Sequence, residues 1–149
     1  MNQYPLMRPE LQDTYGILEL QNKILEIALY LDKFCREHGI TYYLMGGSAL
    51  GAMRHGGFIP WDDDLDVFMD YKNYQKFVNA CQTDLDTTHY HFQPADSKEL
   101  PCFFAKLRAN GTALLEEGWK NRKDMHQGIF VDIMCLNNAA PTLLGRKIQ

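Results

Sequence analysis

Five aspartates, Asp62, Asp63, Asp64, Asp66 and Asp70, fall within nine residues of this chain. Carboxylates crowded in this way repel one another and cost folding energy unless a cation compensates them. In an extended segment side chains at i and i+2 share a face, so Asp64 and Asp66 project together, about 6.5–7 Å apart along the chain. Such a pair suits Mg²⁺, which takes one or two protein carboxylates and fills its other positions with water and substrate phosphate oxygens. Asp132 interrupts the apolar run Ile129 to Met134, where an unpaired carboxylate costs roughly several kcal/mol. It is the natural third acid, and three acids can hold two ions.

A complementary feature lies upstream. Gly46-Gly47-Ser48 reads as a turn whose glycines let backbone N–H groups approach an anion, with a following helix adding its partial positive end. Phosphate would then sit between this turn and the metal. Arg54 is a candidate phosphate clamp or a counter-charge for the acids. Trp61 is a packing residue or a stacking surface for a base or quaternary ammonium. Lys106 and Arg108 alternate onto one strand face and would both reach a diphosphate; otherwise that face is simply exposed. His89 and His91 share a face without a third ligand nearby, which reads as a solvated strand. The acids open like an EF-hand loop at Asp62, but position six is Val67 and position twelve Asn73, so that reading fails. Sugar-nucleotide glycosyltransferases also use Asp-x-Asp, yet the sixty or so residues before it leave little room for their nucleotide-binding half.

The elements that must position these residues follow from periodicity. Leu20, Ile24, Ile27, Leu31 and Cys35 recur at helical spacing, predicting an amphipathic helix from about Leu18 to His38 that Gly39 ends. A short strand, Tyr42 to Met45, leads into the glycine turn, after which Ser48 would cap a helix over Ala49 to Arg54. Leu65 to Met69 reads as a strand that delivers acids at its start. Asp70 then caps a helix over Tyr71 to Cys81 with Tyr74, Phe77, Val78 and Cys81 on one face. Tyr90 to Gln93, Cys102 to Arg108 and Thr112 to Glu116 are β-prone, the last two joined through Asn110-Gly111 as a hairpin. Gly128 to Met134 reads as a buried central strand. Tyr42, Tyr43, Phe103 and Phe104 are expected in the core or on sheet faces. The whole is an α+β fold with a mixed sheet flanked by helices.

Composition narrows the function classes. With 149 residues, 46% hydrophobic, the chain is expected to form one domain over residues 1–149. Fifteen basic against nineteen acidic residues give a net charge of −4, which argues against nucleic-acid binding through phosphates. No apolar run reaches the roughly 18 residues of a membrane span, and Met1 to Pro5 lack a signal-peptide pattern. The expected location is therefore cytoplasmic. Cys35, Cys81, Cys102 and Cys135 show no metal-binding spacing and read as small buried hydrophobes in a reducing compartment.

The stretch from Gly46 through Arg54-His55-Gly56-Gly57-Phe58-Ile59-Pro60-Trp61-Asp62-Asp63-Asp64-Leu65-Asp66-Val67 resembles the signature of the LicD family of phosphocholine and phospho-alditol transferases, whose fold is of the nucleotidyltransferase type and whose relatives include fukutin-related protein. Lys106-Leu107-Arg108 and Gly128 to Ile133 are similar to two later family segments, so the resemblance spans about residues 42–136. It implies that Gly46, Gly47 and Ser48 line nucleotide phosphates, that Asp64 and Asp66 bind Mg²⁺ or Mn²⁺, and that Asp132 completes the acids around two ions. It implies transfer of a phospho-group, foremost phosphocholine from CDP-choline or a related CDP-alditol, to a hydroxyl of a cell-surface glycan such as a lipopolysaccharide, teichoic acid or capsule precursor. A lipid-linked acceptor would bring peripheral contact with the inner membrane face. Where relatives carry Phe-Pro-Leu-Asp after the third acid, this chain has Met134-Cys135-Leu136-Asn137, which bears on acceptor choice. The stop at Gln149 suggests a truncated acceptor side. A nucleotidyltransferase acting on a protein or small molecule, a ribitol- or glycerol-phosphate transferase, and a non-catalytic nucleotide-binding fragment remain as alternatives.

Overall fold

A computed structural model describes residues 13–139; the opening residues Met1 to Pro5 and the end at Gln149 lie outside them. The elements run α1 (Leu18–Glu37), β1 (Tyr43–Leu44), α2 (Gly46–His55), β2 (Asp66–Asp70), α3 (Tyr71–Thr83), β3 (Tyr90–Gln93), β4 (Ala105–Ala109) and β5 (Phe130–Leu136). The strands form one mixed sheet in the order β1-β2-β5-β4-β3, with β2 and β5 parallel and the other pairs antiparallel. This is the α+β architecture that the sequence pattern predicts.

The alternation of side chains sorts the sheet into two chemically different faces. Val67 and Met69 of β2, Val131 and Ile133 of β5, and Ala105, Leu107 and Ala109 of β4 are buried with α1 and α3 in a single core. Helix α1 contributes Ile24, Ile27, Leu31, Phe34 and Cys35, and α3 contributes Tyr74, Phe77, Ala80 and Cys81. Val78, expected on the buried face of α3, lies at its margin. Helix α1 ends as its glycine requires: Gly39 takes φ +59°, its N–H donates to Arg36 O, and Ile40 N–H donates to Cys35 O, the paired bonds of a Schellman cap. Asp70 caps α3 by accepting from Asn73 N–H at 2.8 Å.

Three expectations need correction. The glycines are not a turn before a helix: α2 begins at Gly46 itself, capped from Met45 in extended conformation, with Gly46 at φ +54°. Ser48 is not the N-cap, because its hydroxyl is engaged with another element. The hairpin through Asn110-Gly111 does not form either. Both edges of β4 are already paired, to β3 and to β5, so residues 112–116 have no strand to join and become part of a long connection. Gly111 keeps its positive φ of +72° at the turn. Among the aromatics, Phe103 is 73% and Tyr43 55% exposed, and Cys102 and Cys135 are only half-buried, unlike the buried Cys35 and Cys81.

Candidate active site

The second face of the sheet carries the polar residues. Reading across β2, β5, β4 and β3, the strand register aligns Asp66 with Asp132, Asp132 with Lys106, and Lys106 with Gln93. Directly opposed residues of the antiparallel pairs have Cβ atoms about 4.5–5.5 Å apart, and the parallel β2–β5 pair sets Asp66 beside Asp132 at the ordinary strand spacing of about 4.8 Å, so acid, acid, base and amide form one continuous row. Sequence separations of up to 66 residues close here through backbone pairing alone.

The acid loop before β2 is held from two sides. From α1, Gln21, 3% exposed, donates its amide N–H groups to Ile59 O at 3.1 Å and Asp62 O at 2.8 Å. From α2, the hydroxyl of Ser48 accepts from Asp66 N–H at 2.9 Å, fastening the first turn of the helix to the first residue of β2. A Cβ on Gly47 would stand 2.7 Å from Asp62 Oδ2, and one on Gly51 would stand 2.6 Å from the carbonyl oxygen of Gly57. The small residues of α2 therefore let it lie directly on the loop, with its N-terminus beside Asp62 and Asp66, where helix-end N–H groups favour negative charge.

Asp64 precedes the strand and Asp66 opens it, both half-buried. Neither carboxylate makes a hydrogen bond or ion pair among the described residues. Burial pushes Asp64 up to about 6, reinforced by the charges of Asp66, Asp62 and Asp63 and opposed by Lys106. Asp66 is raised for the same reasons, burial first and then the charge of Asp62. Asp62 is raised by burial and by Asp63, and its Oδ2 is buried without a hydrogen-bond partner among the described residues. Asp132 is pushed up to about 6 by burial, with Lys106 opposing the shift. Uncompensated carboxylate oxygens in partial burial fit a hard divalent cation. No three His, Cys, Asp or Glu side chains among the described residues converge closely enough to enclose one unaided, so further ligands would be phosphate oxygens and water.

The other expected site residues lie as follows. Lys106 and Arg108 do share a face, but a covered one, each 0% exposed. The Lys106 ammonium lies 2.9 Å from Asp132 Oδ1, in ion-pair contact rather than an aligned hydrogen bond, and donates to Glu116 Oε1 at 3.0 Å. Arg108 donates to Gly128 O at 2.7 Å, to Glu116 Oε2 at 3.0 Å and to Gln93 Oε1. All three nitrogens of its planar fork are thus engaged within the protein. Arg54 is exposed in the last turn of α2, about 12 Å along the axis from Gly46. Trp61 is 57% exposed beside the acids, in edge contact with Tyr15. His91 bonds Glu99 at 2.8 Å and stacks on His126, while His89 lies in the turn before β3, bonded to Asp86.

Two residues escape the sequence reading. Gln21 had a signal, a polar residue three positions from Ile24 on an apolar stripe. Glu116 had none: it lies in the connection after β4 and reaches Lys106 and Arg108 only because that connection folds back over the polar face. At the far edge of the sheet, a cavity of about 300 Å³ between the end of α3 and β3 is lined by Cys81, Leu85, Tyr90 and Phe92.

The sequence model of the LicD/FKTN/FKRP nucleotidyltransferase domain matches residues 39–133, from the end of α1 to the third acid. Similar curated proteins include the lipopolysaccharide cholinephosphotransferase LicD of Haemophilus influenzae, 40% identical over 82 residues, which are 55% of this chain and 30% of that protein. The ribitol 5-phosphate transferase FKRP of human is 50% identical over 57 residues, 38% of this chain and 11% of that protein. The mouse protein of the same name matches to the same extent. The matched stretches thus span under a third of the length of these relatives.

Proposed function

The chain belongs to the LicD/FKTN/FKRP nucleotidyltransferase-domain family, and from that premise we propose that it transfers phosphocholine from CDP-choline to a hydroxyl of a cell-surface glycan precursor. The observation that carries the reading is the row Asp66, Asp132, Lys106 with Asp64 beside it and the start of α2 over it. Only fixed charges and oriented donors are needed for phosphoryl transfer, in which catalysis is mostly positioning and electrostatic stabilisation.

In this reading Asp64 and Asp66 hold Mg²⁺ or Mn²⁺. The ion, when bound, neutralises charge on the donor diphosphate. Asp132 faces the acceptor hydroxyl and takes its proton as the hydroxyl oxygen attacks the phosphorus bearing choline, and CMP leaves. Gly46 and Gly47 present backbone N–H groups to the phosphates, and the remaining Ser48 hydroxyl proton can be donated to them. Trp61 offers an exposed ring to the quaternary ammonium or the base. The acceptor would be a lipopolysaccharide, teichoic acid or capsule precursor, met at the inner face of the membrane by a cytoplasmic protein. No described helix is long and apolar enough to cross a membrane. The likeness to ribitol 5-phosphate transferases favours a phospho-alditol donor as the second reading.

Calorimetric titration of CDP-choline with Mg²⁺, with EDTA, and into Asp64→Ala tests the donor site. Binding that needs both the metal and Asp64 supports it, and release of CMP rather than pyrophosphate identifies phospho-group transfer. Binding of CDP-ribitol in place of CDP-choline would select the second reading.

A further inference from the structure

We propose that Lys106 is a built-in second cation of this site: its ammonium takes the place beside Asp132 that a second metal ion would fill, so the centre binds one divalent ion, at Asp64 and Asp66. The inference rests on the phosphotransfer reading above and goes beyond it.

Lys106 is placed there by the backbone, since Lys106 and Asp132 are register partners in the β4–β5 ladder. The side chain has nowhere else to go. It is fully buried, with Asp132 Oδ1 at 2.9 Å, Glu116 Oε1 at 3.0 Å and the centre of the Phe130 ring 3.2 Å below the ammonium. Two acids and an aromatic face are the surroundings that a lysine charge needs when it has lost its water. Glu116 also receives Arg108, so the positive pair Lys106 and Arg108 balances the negative pair Glu116 and Asp132 without any metal. Asp64 and Asp66 have no such partner among the described residues. The division of labour is electrostatic: Asp132 is compensated by the protein and stays available to the acceptor, whereas Asp64 and Asp66 are left for an ion. Glu116, anchored by Arg108, is the positioning residue that keeps the ammonium over Asp132.

Counting bound Mn²⁺ by electron paramagnetic resonance, with saturating CDP-choline or CDP and a nucleotide blank subtracted, reads this directly. The expected result is one Mn²⁺ per chain for the unmodified protein and two for Lys106→Met, whose thermal melt confirms folding. Should Lys106→Met not fold, the isosteric Asp132→Asn serves: it is expected to keep one Mn²⁺ with affinity within about tenfold of the unmodified protein, the cost of losing an outer partner. Two Mn²⁺ in the unmodified protein, one in a folded Lys106→Met, or a loss beyond a hundredfold in Asp132→Asn would overturn the proposal. No Mn²⁺ in the unmodified protein under any condition would instead remove the phosphotransfer reading beneath it.

Discussion

Asp64 and Asp66 are costly to the fold because their charges are half-buried among other carboxylates with no ion-pair partner among the described residues. Asp64→Ala and Asp66→Ala are therefore expected to lower CMP release by about 10³-fold or more while leaving the metal-free melting temperature unchanged or higher; assay and thermal melt together check this. The pH dependence has a definite sign. Asp64 is raised in the folded protein from its ordinary value to about 6, so the folded state holds its proton more tightly than the unfolded chain does. Its contribution favours folding below about pH 4 and is lost as pH rises through 6. The metal-free protein should accordingly lose stability between pH 4 and 6 relative to Asp64→Asn, and Mg²⁺ should recover stability at pH 7. Equal pH profiles for the two proteins would refute this.

At the scale of elements, what matters is how closely α2 and α1 grip the acid loop. A methyl group on Gly51 would meet backbone atoms, the Gly57 carbonyl at 2.6 Å and the Ile59 nitrogen at 3.0 Å, neither of which can rotate away. Gly51→Ala is expected to cost about 1–3 kcal/mol in urea unfolding, despite alanine's better helix propensity. Gln21→Met keeps the bulk but withdraws both hydrogen bonds from the loop; Ile59 O still accepts from Asp62 N–H, so the loss falls chiefly on the Asp62 carbonyl, and the expected cost is about 1–3 kcal/mol. Because the loop carries Asp62 and Asp64, the same variant should weaken Mn²⁺ binding, whereas a change that merely weakens the core would not.

Across the whole molecule, the buried residues Arg108, Lys106, Asp132 and Gln93, with the partly buried Glu116, tie β3, β4, β5 and the connection after β4 together. Removing Arg108 strands partners it was built to satisfy, so Arg108→Met is expected to destabilise by about 3–5 kcal/mol. Arg108→Lys should recover little, because one ammonium cannot replace a fork that reaches Gln93, Gly128 and Glu116 at once; urea unfolding of both variants measures this. The amino-acid pattern by itself determined what is local and repetitive: the amphipathic periods of α1 and α3, the Gly39 and Asp70 caps, the alternation that puts Lys106 and Arg108 on one face of β4, and the apolar run of the central strand β5. It also marked the acids, because five carboxylates in nine residues and one within an apolar strand are anomalous on sight. Strand order was decided by the tertiary structure, and with it every contact that depends on order. The occupied edges of β4 prevented the Asn110-Gly111 hairpin, the covered face turned Lys106 and Arg108 inward, and the return of a long connection brought Glu116 onto them. Helix and strand periods arise from neighbours along the chain, whereas these pairings arise from which edges and faces remain open once the core has closed.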